Sequence, residues 1–317
     1  MNRRDFLAAL PCAAALAFRG EETPPSILVH EHILVDFAGA DQIRPGRYDP
    51  AEVFRVALPK LQELKAFGCR RFLECTPQFI GRDPALLRRL EQAVGLEIWT
   101  NTGIYGAANH KYVPAFARKA SAEALAERFI AEVRNGVAGV VPRFIKTGVN
   151  QAPLNPLDRK LVRAAALTSR ETGLTVASHT ADGRGALEQV EILAATGVPP
   201  ERFVWVHAQN EKDHAFHETA ARAGAWVEFD GIAEDSIDWH LECVRFMAER
   251  DLLDRTLVSQ DAGWYHVGEP GGGNFRGYTL IYTQFLPRIE PLLRRTLMWD
   301  NPRRAFPESS SETQRHA

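Results

Sequence analysis

Cysteine is scarce in this sequence of 317 residues. There are four in all, Cys12, Cys69, Cys75 and Cys243, and no two of them form a Cys-x-x-Cys pair. Cys12 lies in the N-terminal stretch, so three cysteines would remain after removal of that stretch. An odd number without Cys-x-x-Cys spacing argues against both a disulfide framework and a thiolate zinc site. Cys75 lies in an apolar, strand-like run, and we expect it to be a small buried hydrophobic residue.

An excess of charge of one sign is also lacking. The 38 Lys and Arg residues nearly balance the 40 Asp and Glu residues, which leaves a formal net charge of −2. The protein therefore has no general basic field to attract it to nucleic acid or to anionic membrane, and no nucleic-acid partner is predicted. Its 45% hydrophobic residues are ordinary for a globular enzyme with a sizeable core.

The sequence has an apolar stretch at its N-terminus, after a pair of arginines. Arg3-Arg4-Asp5-Phe6-Leu7 precedes an Ala- and Leu-rich stretch that ends at Ala17. This stretch is shorter than the roughly 20 residues of a membrane span, so we expect a twin-arginine signal peptide over 1–17. That predicts export to the periplasm or cell envelope, without a stable membrane span after processing. A disordered basic tail, an uncleaved anchor and lipid attachment at Cys12 are the alternatives.

Between the N-terminal stretch and a polar C-terminal tail over 307–317, strand-like runs alternate with amphipathic helical patterns. The alternation predicts a parallel sheet, and eight repeats fit a single (β/α)₈ TIM barrel over 24–306. A doubly wound sheet fits less well, because no nucleotide-binding glycine motif follows the first strand. The predicted strands are 27–32, 71–76, 96–105, 144–149, 175–180, 203–209, 225–231 and 256–263.

Potential metal ligands recur at the ends of these runs, where a barrel carries its active site. In the first run, a strand periodicity of two predicts that the two imidazoles share one face, opposite Glu31, and can reach one ion. Zn²⁺ favours such ligands. The six candidates are His30, His32, Lys146, His179, His207 and Asp261.

Each candidate has an ordinary alternative when it is taken alone. The histidines could be exposed residues or hydrogen-bonded core residues, Lys146 could form a salt bridge, and Asp261 could cap a helix. Burying a lysine is costly unless it is paired or neutralised. The functional interpretation is that a deprotonated Lys146 reacts with CO₂ to give a carbamate, an anion able to bridge two cations. Six coincident alternatives are less probable than one metal site.

The motifs together resemble the phosphotriesterase family of the amidohydrolase superfamily. The similarity covers almost the whole chain after the N-terminal stretch. The resemblance implies two divalent ions on a (β/α)₈ barrel, with zinc expected. It implies that His30, His32 and Asp261 hold one ion, that His179 and His207 hold the other, and that carboxylated Lys146 bridges them. The segments that carry it are 30–32, 145–148, 178–180, 206–207, 228–231, the Asp261 strand and 301–306.

The expected activity is hydrolysis of a small-molecule substrate. A metal-bridging hydroxide would attack a carboxylic ester or lactone, Asp261 would take its proton onward, and organophosphate triesters would be side substrates. The alternatives are an amidase, a phosphodiesterase and a non-catalytic barrel that binds metal or solute. Tyr105 and Trp264 are predicted to line the substrate pocket, with core packing as the alternative for each. The resemblance adds homodimer formation as an open expectation.

Overall fold

The computed structural model describes residues 24–308, so the expected signal peptide over 1–17 and residues 309–317 of the tail lie outside the described residues. Eight parallel strands in chain order form the barrel, which confirms the predicted (β/α)₈ fold. They are β1 (Ser26–Glu31), β2 (Cys69–Glu74), β3 (in two segments, Glu97–Trp99 and Asn101–Thr102), β4 (Phe144–Gly148), β5 (Val176–His179), β6 (Phe203–Val206), β7 (Trp226–Phe229) and β8 (Thr256–Val258).

The barrel closes between its first and last strands. The His30 amide donates to Ser259 Oγ at 3.0 Å, and the Asp261 amide donates to the His30 carbonyl at 3.1 Å. The third strand, predicted as one run over 96–105, is interrupted at Thr100. Its first segment pairs with β2 and its second with β4.

Helices alternate with the strands and cover the outside of the barrel. Ser121 and Gly136, predicted as the cap and the end of one helix, have those positions: Ser121 Oγ accepts from the Ala124 amide at 3.1 Å, and Gly136 has a φ of 72°. The helices are α1 (Pro50–Ala66), α2 (Pro84–Val94), α3 (Ala115–Lys119), α4 (Ala122–Asn135), α5 (Pro156–Thr172), α6 (Gly183–Ala195), α7 (His214–Arg222), α8 (Ile237–Glu249), α9 (Pro291–Arg295) and α10 (Asn301–Ala305).

Every strand contributes to an apolar core inside the barrel, and residues 301–306 form its floor. Phe306 is 2% exposed, and its ring lies 5.8 Å from that of Phe144. Asn301 Nδ2 donates to the carbonyls of Leu253 and Thr256 at 2.7 and 2.8 Å, which fixes α10 under β8. The interior residues are Ile27, Val29, Leu73, Cys75, Trp99, Phe144, Ala177, Val204, Val206, Trp226, Leu257, Ala305 and Phe306.

The structure contradicts two predictions that were made from the sequence. From Asp261 to residue 308, the last that the structure describes, there is no long helix for Asp261 to cap. This part of the chain forms short 3₁₀, π and α segments, including π-helical turns at Ile281–Phe285 and Thr296–Asp300. Prolines interrupt this region, for example Pro287 and Pro291. Lys146 lies in the middle of β4 rather than at its end.

Cys69, Cys75 and Cys243 are buried free thiols. Across residues 24–308, none of the helices combines the length and apolar character that crossing a membrane requires.

Candidate metal centre

His30 and His32 lie at the carboxyl end of β1 with their side chains on the same side as Asp261. His32 Nε2 lies 3.1 Å from Asp261 Oδ1, and His30 Nε2 lies 3.8 Å from the same oxygen. The two imidazoles and this carboxylate are close enough together to hold one ion. The period-two interpretation of the first strand therefore placed these rings on the correct face.

Glu31 points to the opposite side and fixes the segment that carries Asp261. Its fully buried carboxylate accepts from Ser259 Oγ and from the amides of Gln260 and Ala262 at 2.7–3.0 Å. Burial raises the pKa of Glu31 to about 8. Asp261 has a φ of 49°, a conformation uncommon for residues other than glycine, so these contacts hold it in a strained backbone.

Lys146, His179 and His207 complete the group. Lys146 Nζ is 3.5 Å from His30 Nε2, and the His207 ring centre is 5.1 Å from that of His30 and 4.4 Å from that of His179. His207 follows β6 directly and has a φ of 65°. The structure thus brings all six predicted residues to one end of the barrel, around the Nε2 atom of His30 and the carboxylate of Asp261.

The salt-bridge alternative for Lys146 is not found. Its side chain is buried, and within residues 24–308 no carboxylate oxygen lies within 4.0 Å of its Nζ. A buried ammonium without a carboxylate partner is costly, and an anionic group at its nitrogen would remove that cost.

A second layer of polar groups fixes the imidazoles. Asp230 contacts the Nδ1 atoms of both His207 and His30, the latter at 3.1 Å, and Glu228 Oε1 lies 2.8 Å from the same His30 atom. When each Nδ1–H donates to a carboxylate, each Nε2 keeps its lone pair for the centre. The structure offers a second possible ligand group for an ion, formed by His30, His207 and Asp230. The contacts of Asp230 with Nδ1 atoms make it an orienting residue.

His32 is fixed by a hydroxyl rather than by a carboxylate. Its Nδ1–H donates to Thr76 Oγ1 at 2.8 Å, and the Thr76 hydroxyl donates to Glu74 Oε1 at 2.5 Å. Burial raises the pKa of Glu74 to about 7. This relay holds the His32 ring with Nε2 towards Asp261.

Burial favours the neutral form of three candidate ligands, His30, His32 and His179. It lowers the pKa of His30 to about 3, lowers that of His32, and holds that of His179 well below its usual value. Burial, followed by the charge of Asp230, raises the pKa of Glu228 well above its ordinary range. Neutral imidazoles can coordinate a metal ion without first losing a proton.

The arrangement fits a divalent metal. Asp261 Oδ1 is buried and accepts no hydrogen bond from the residues at 24–308, although it faces two imidazole Nε2 atoms. A buried carboxylate oxygen normally has a donor, so an oxygen without one suits a cation. Nitrogen and carboxylate donors together match the preference of Zn²⁺ and related ions.

Tyr105 and Trp264, the two predicted pocket residues, both adjoin the centre. The Tyr105 ring centre is 5.1 Å from that of His179, and the Trp264 ring centre is 4.2 Å from that of His32. Trp264 Nε1 donates to the Asp261 carbonyl at 2.6 Å. Burial, followed by the charge of Asp261, raises the pKa of Tyr105, so its hydroxyl remains a donor at neutral pH.

Sequence reasoning did not assign the orienting roles of Glu228, Asp230, Glu74 and Thr76. A signal was present for the first pair. Glu228 and Asp230 alternate with Phe229 in a buried strand, so the period of two places both carboxylates on the inner face. Two buried carboxylates on one face need partners, and histidines at neighbouring strand ends can supply them.

Known proteins resemble the chain over most of its length. The sequence model of a family described as "Phosphotriesterase family" matches residues 24–306. A phosphotriesterase homology protein of Escherichia coli is 25% identical over 83% of this chain and 89% of its own. An aryldialkylphosphatase of Saccharolobus solfataricus is 25% identical over 74% of this chain and 76% of its own.

A solved structure shares the fold. It is described as organophosphate hydrolysis activity engineered from a weak promiscuous lactonase template. The two chains superpose with a TM-score of 0.79 at 27% identity, over 89% of this chain and 95% of the other.

Proposed function

The chain belongs to the phosphotriesterase family of metal-dependent hydrolases, and from this premise we propose that it hydrolyses carboxylic esters or lactones, with organophosphate triesters as side substrates. It is a hydrolytic enzyme of a family that acts on small molecules. The observation that carries the proposal is the buried Asp261 Oδ1, which lacks a hydrogen-bond donor from residues 24–308 and faces the Nε2 atoms of His30 and His32. The relatives' names, a phosphatase and a lactonase template, support ester chemistry.

Two divalent ions, zinc in our proposal, would supply a water of lowered pKa and polarise the substrate oxygen. The four imidazoles of the centre, His30, His32, His179 and His207, would hold them together with Asp261. Asp261 Oδ1 would also accept the proton of the attacking water, because no hydrogen bond from residues 24–308 occupies that oxygen. The hydroxyl of Tyr105, which lies beside His179, would donate a hydrogen bond to a substrate oxygen.

We propose that Lys146 supplies the anionic bridge. Its neutral Nζ would form a bond to the carbon of CO₂, and the amine proton would pass to solvent, leaving a carbamate with two oxygen ligands. The burial of Lys146 without a carboxylate within 4.0 Å, among residues 24–308, supports this step. The new anion would compensate the charge of the ions that it holds.

The test compares metal content with turnover. We expect about two divalent ions per chain and turnover of an aryl acetate and a γ-lactone, with slower turnover of a dialkyl aryl phosphate. An aryl amide and an aryl phosphodiester cover the amidase and phosphodiesterase alternatives. Two bound ions without turnover of any of the five compounds would favour a metal- or solute-binding barrel.

Asp261→Asn separates proton transfer from metal binding. The amide keeps an oxygen for the ion but cannot take a proton, so we expect turnover to fall by about 10² while much of the metal remains. Asp254→Asn, at an exposed carboxylate that pairs with Arg304 at 3.7 Å, is the control and should change neither quantity. Equal loss of metal and turnover would make Asp261 a ligand only, and unchanged turnover would remove it from the mechanism.

We also propose export by the twin-arginine route, motivated by Arg3-Arg4 ahead of the apolar stretch to Ala17. We further propose that the protein forms a homodimer, which light scattering of the purified protein tests. A monomer at micromolar concentration would contradict it.

A further inference from the structure

Arg276 lies near the end of the long loop that follows the last strand, and its side chain returns to the metal centre. Its Nη2 atom donates to the carbonyls of Gln260 and Asp261, the latter at 2.8 Å. Among residues 24–308, both hydrogen bonds of this guanidinium go to backbone carbonyls and neither goes to a carboxylate. Hydrogen bonds from an ionised donor are stronger than those between neutral groups, so these two carbonyls are firmly held.

The two carbonyls belong to the two peptide groups that flank the Cα atom of Asp261. The first peptide group joins Gln260 to Asp261. Its carbonyl accepts from Arg276, and its N–H donates to the His30 carbonyl at 3.1 Å. Both polar groups of this peptide plane are therefore held, and the orientation of the plane sets the φ angle of Asp261.

The second peptide group joins Asp261 to Ala262 and is held in the same way. Its carbonyl accepts from Arg276 and from Trp264 Nε1, the latter at 2.6 Å, and its N–H donates to Glu31 Oε2 at 2.7 Å. With both planes fixed, Asp261 keeps its φ of 49°, which residues other than glycine seldom adopt. Among residues 24–308, Arg276 is the one side chain that donates to both planes.

The backbone that carries Arg276 is itself fixed. Arg276 and Gly263 pair through two backbone hydrogen bonds at 2.9 and 3.0 Å. Gly263 has a φ of 99°, and a Cβ atom at this position would lie 1.8 Å from the His32 carbonyl oxygen, so the close approach requires glycine. The Tyr278 hydroxyl donates to the same carbonyl at 2.7 Å. The guanidinium thus projects from a backbone that is already in place, as a supporting group needs.

We propose that Arg276 is a positioning residue for Asp261. By holding the two flanking peptide groups, it keeps the Asp261 carboxylate turned towards the Nε2 atoms of His32 and His30, which lie 3.1 and 3.8 Å from Oδ1. This inference rests on the proposed function, since Asp261 is the proton acceptor there. Arg276 acts through the backbone of Asp261 and takes no direct part in bond cleavage. A displaced carboxylate impairs proton transfer more than it impairs substrate binding.

The kinetic test uses Arg276→Gln and Arg276→Lys in the metal-loaded enzyme. Because glutamine is shorter and uncharged, we expect kcat for an aryl acetate to fall by about 10- to 100-fold in Arg276→Gln, while KM stays within about twofold of wild type. Lysine keeps the charge and several donors but lacks the rigid fork of the guanidinium, so Arg276→Lys should lose less, about three- to tenfold.

A double-mutant cycle shows whether Arg276 acts through Asp261. In the Asp261→Asn background the side chain no longer accepts a proton, so its exact position matters less. Arg276→Gln should then lower kcat by less than about twofold further. A general structural defect would lower kcat by the same factor in both backgrounds, and equal factors therefore overturn the proposal.

The matched control is Arg294→Gln. Arg294 is also half-buried and also donates to two backbone carbonyls, those of Ile289 at 2.8 Å and Pro287 at 3.4 Å. The turn that it holds contains none of the six candidate ligands, so kcat and metal content should be unchanged. Circular dichroism of each variant checks that the fold persists.

Two measurements without turnover separate this inference from the proposed function. Chelator competition should show the ion held by Asp261 bound about tenfold more weakly in Arg276→Gln than in wild type. Hydrogen exchange of the metal-free protein, read by mass spectrometry, should be faster at the amides of Asp261 and Ala262. If no ester is hydrolysed but both changes occur, and neither occurs in Arg294→Gln, the ester proposal fails and the positioning role stands.

Wild-type exchange at these two amides in Arg276→Gln overturns the positioning role, whatever the turnover. If Arg276→Gln does not fold, Arg276→Lys is measured in the same ways, with smaller changes expected in the same direction. Wild-type exchange, metal affinity and kcat in Arg276→Lys would then overturn the role.

Discussion

Asp230→Asn should weaken one metal position much more than the other. Asp230 contacts Nδ1 of both His30 and His207 and is fully buried. His30 Nδ1 also has Glu228 Oε1 at 2.8 Å, whereas His207 Nδ1 has only Asp230 among residues 24–308. The asparagine amide can donate to His207 Nδ1, which moves the ring proton to Nε2 and blocks that lone pair.

The size of the effect follows from these contacts. Loss of an orienting partner typically costs about 10- to 100-fold in metal affinity, or about 1.4–2.7 kcal/mol. We expect that loss at the ion held by His207. We expect less than about tenfold at the ion held by His30, because Glu228 still orients that ring. The variant should therefore retain about one ion per chain after mild chelation, whereas wild type retains about two.

The assay is competition with a chelator of known affinity, read by elemental analysis of the recovered protein. Asp158→Asn is the matched control, because Asp158 is equally buried and contacts a histidine, His110, at 2.8 Å. It should lower stability without changing metal affinity. Equal weakening of both ions in Asp230→Asn, or no weakening of either, would refute the assignment of orienting roles.

Three further predictions follow from single groups. Lys146→Ala should lose most of the bound metal and activity, with partial recovery on addition of short carboxylic acids; a fully metallated, active variant would contradict the carbamate proposal. Burial lowers the pKa of His217 to about 4 from its usual 6.5. Its neutral form therefore contributes fully to stability above pH 6.5, and the contribution is lost as the pH falls towards 4. Urea titration of the metal-free protein measures its free energy of unfolding. Between pH 6.5 and pH 4 we expect this free energy to fall by up to about 3 kcal/mol more in wild type than in His217→Gln. Arg3→Lys/Arg4→Lys should leave precursor in the cytoplasm on cell fractionation, and normal processing of this variant would rule out the twin-arginine route.

The positions of the ligand candidates were predictable because strand periodicity and strand order are local properties of the sequence. His30 and His32 share a face by their spacing, and His179 ends a strand because its run ends there. Parallel order then brings these ends together without knowledge of any contact. The fold and the placement of five of the six candidate residues follow from this reasoning, whereas Lys146 lies in the middle of its strand rather than at its end.

The remainder depended on contacts between distant segments. The left-handed backbone of His207 and Asp261 is held by partners such as Asp230 and Glu31, so no local propensity predicts it. The break in the third strand at Thr100 arises where that strand changes its pairing from one neighbour to the other. The region after Asp261 has apolar residues at helical spacing, but prolines such as Pro287 and Pro291 interrupt it, and its helices are short.

The floor formed by Asn301 and Phe306 has a consequence for the order of events during synthesis. The interior residues of all eight strands pack towards a surface that the last part of the chain supplies. Residues 301–306 follow all eight strands in the chain, so the barrel core cannot be sealed before they have been synthesised. A route across a membrane that accepts only folded protein must therefore wait for this segment. Shortening the chain before Asn301 would leave the interior open to water at its lower end.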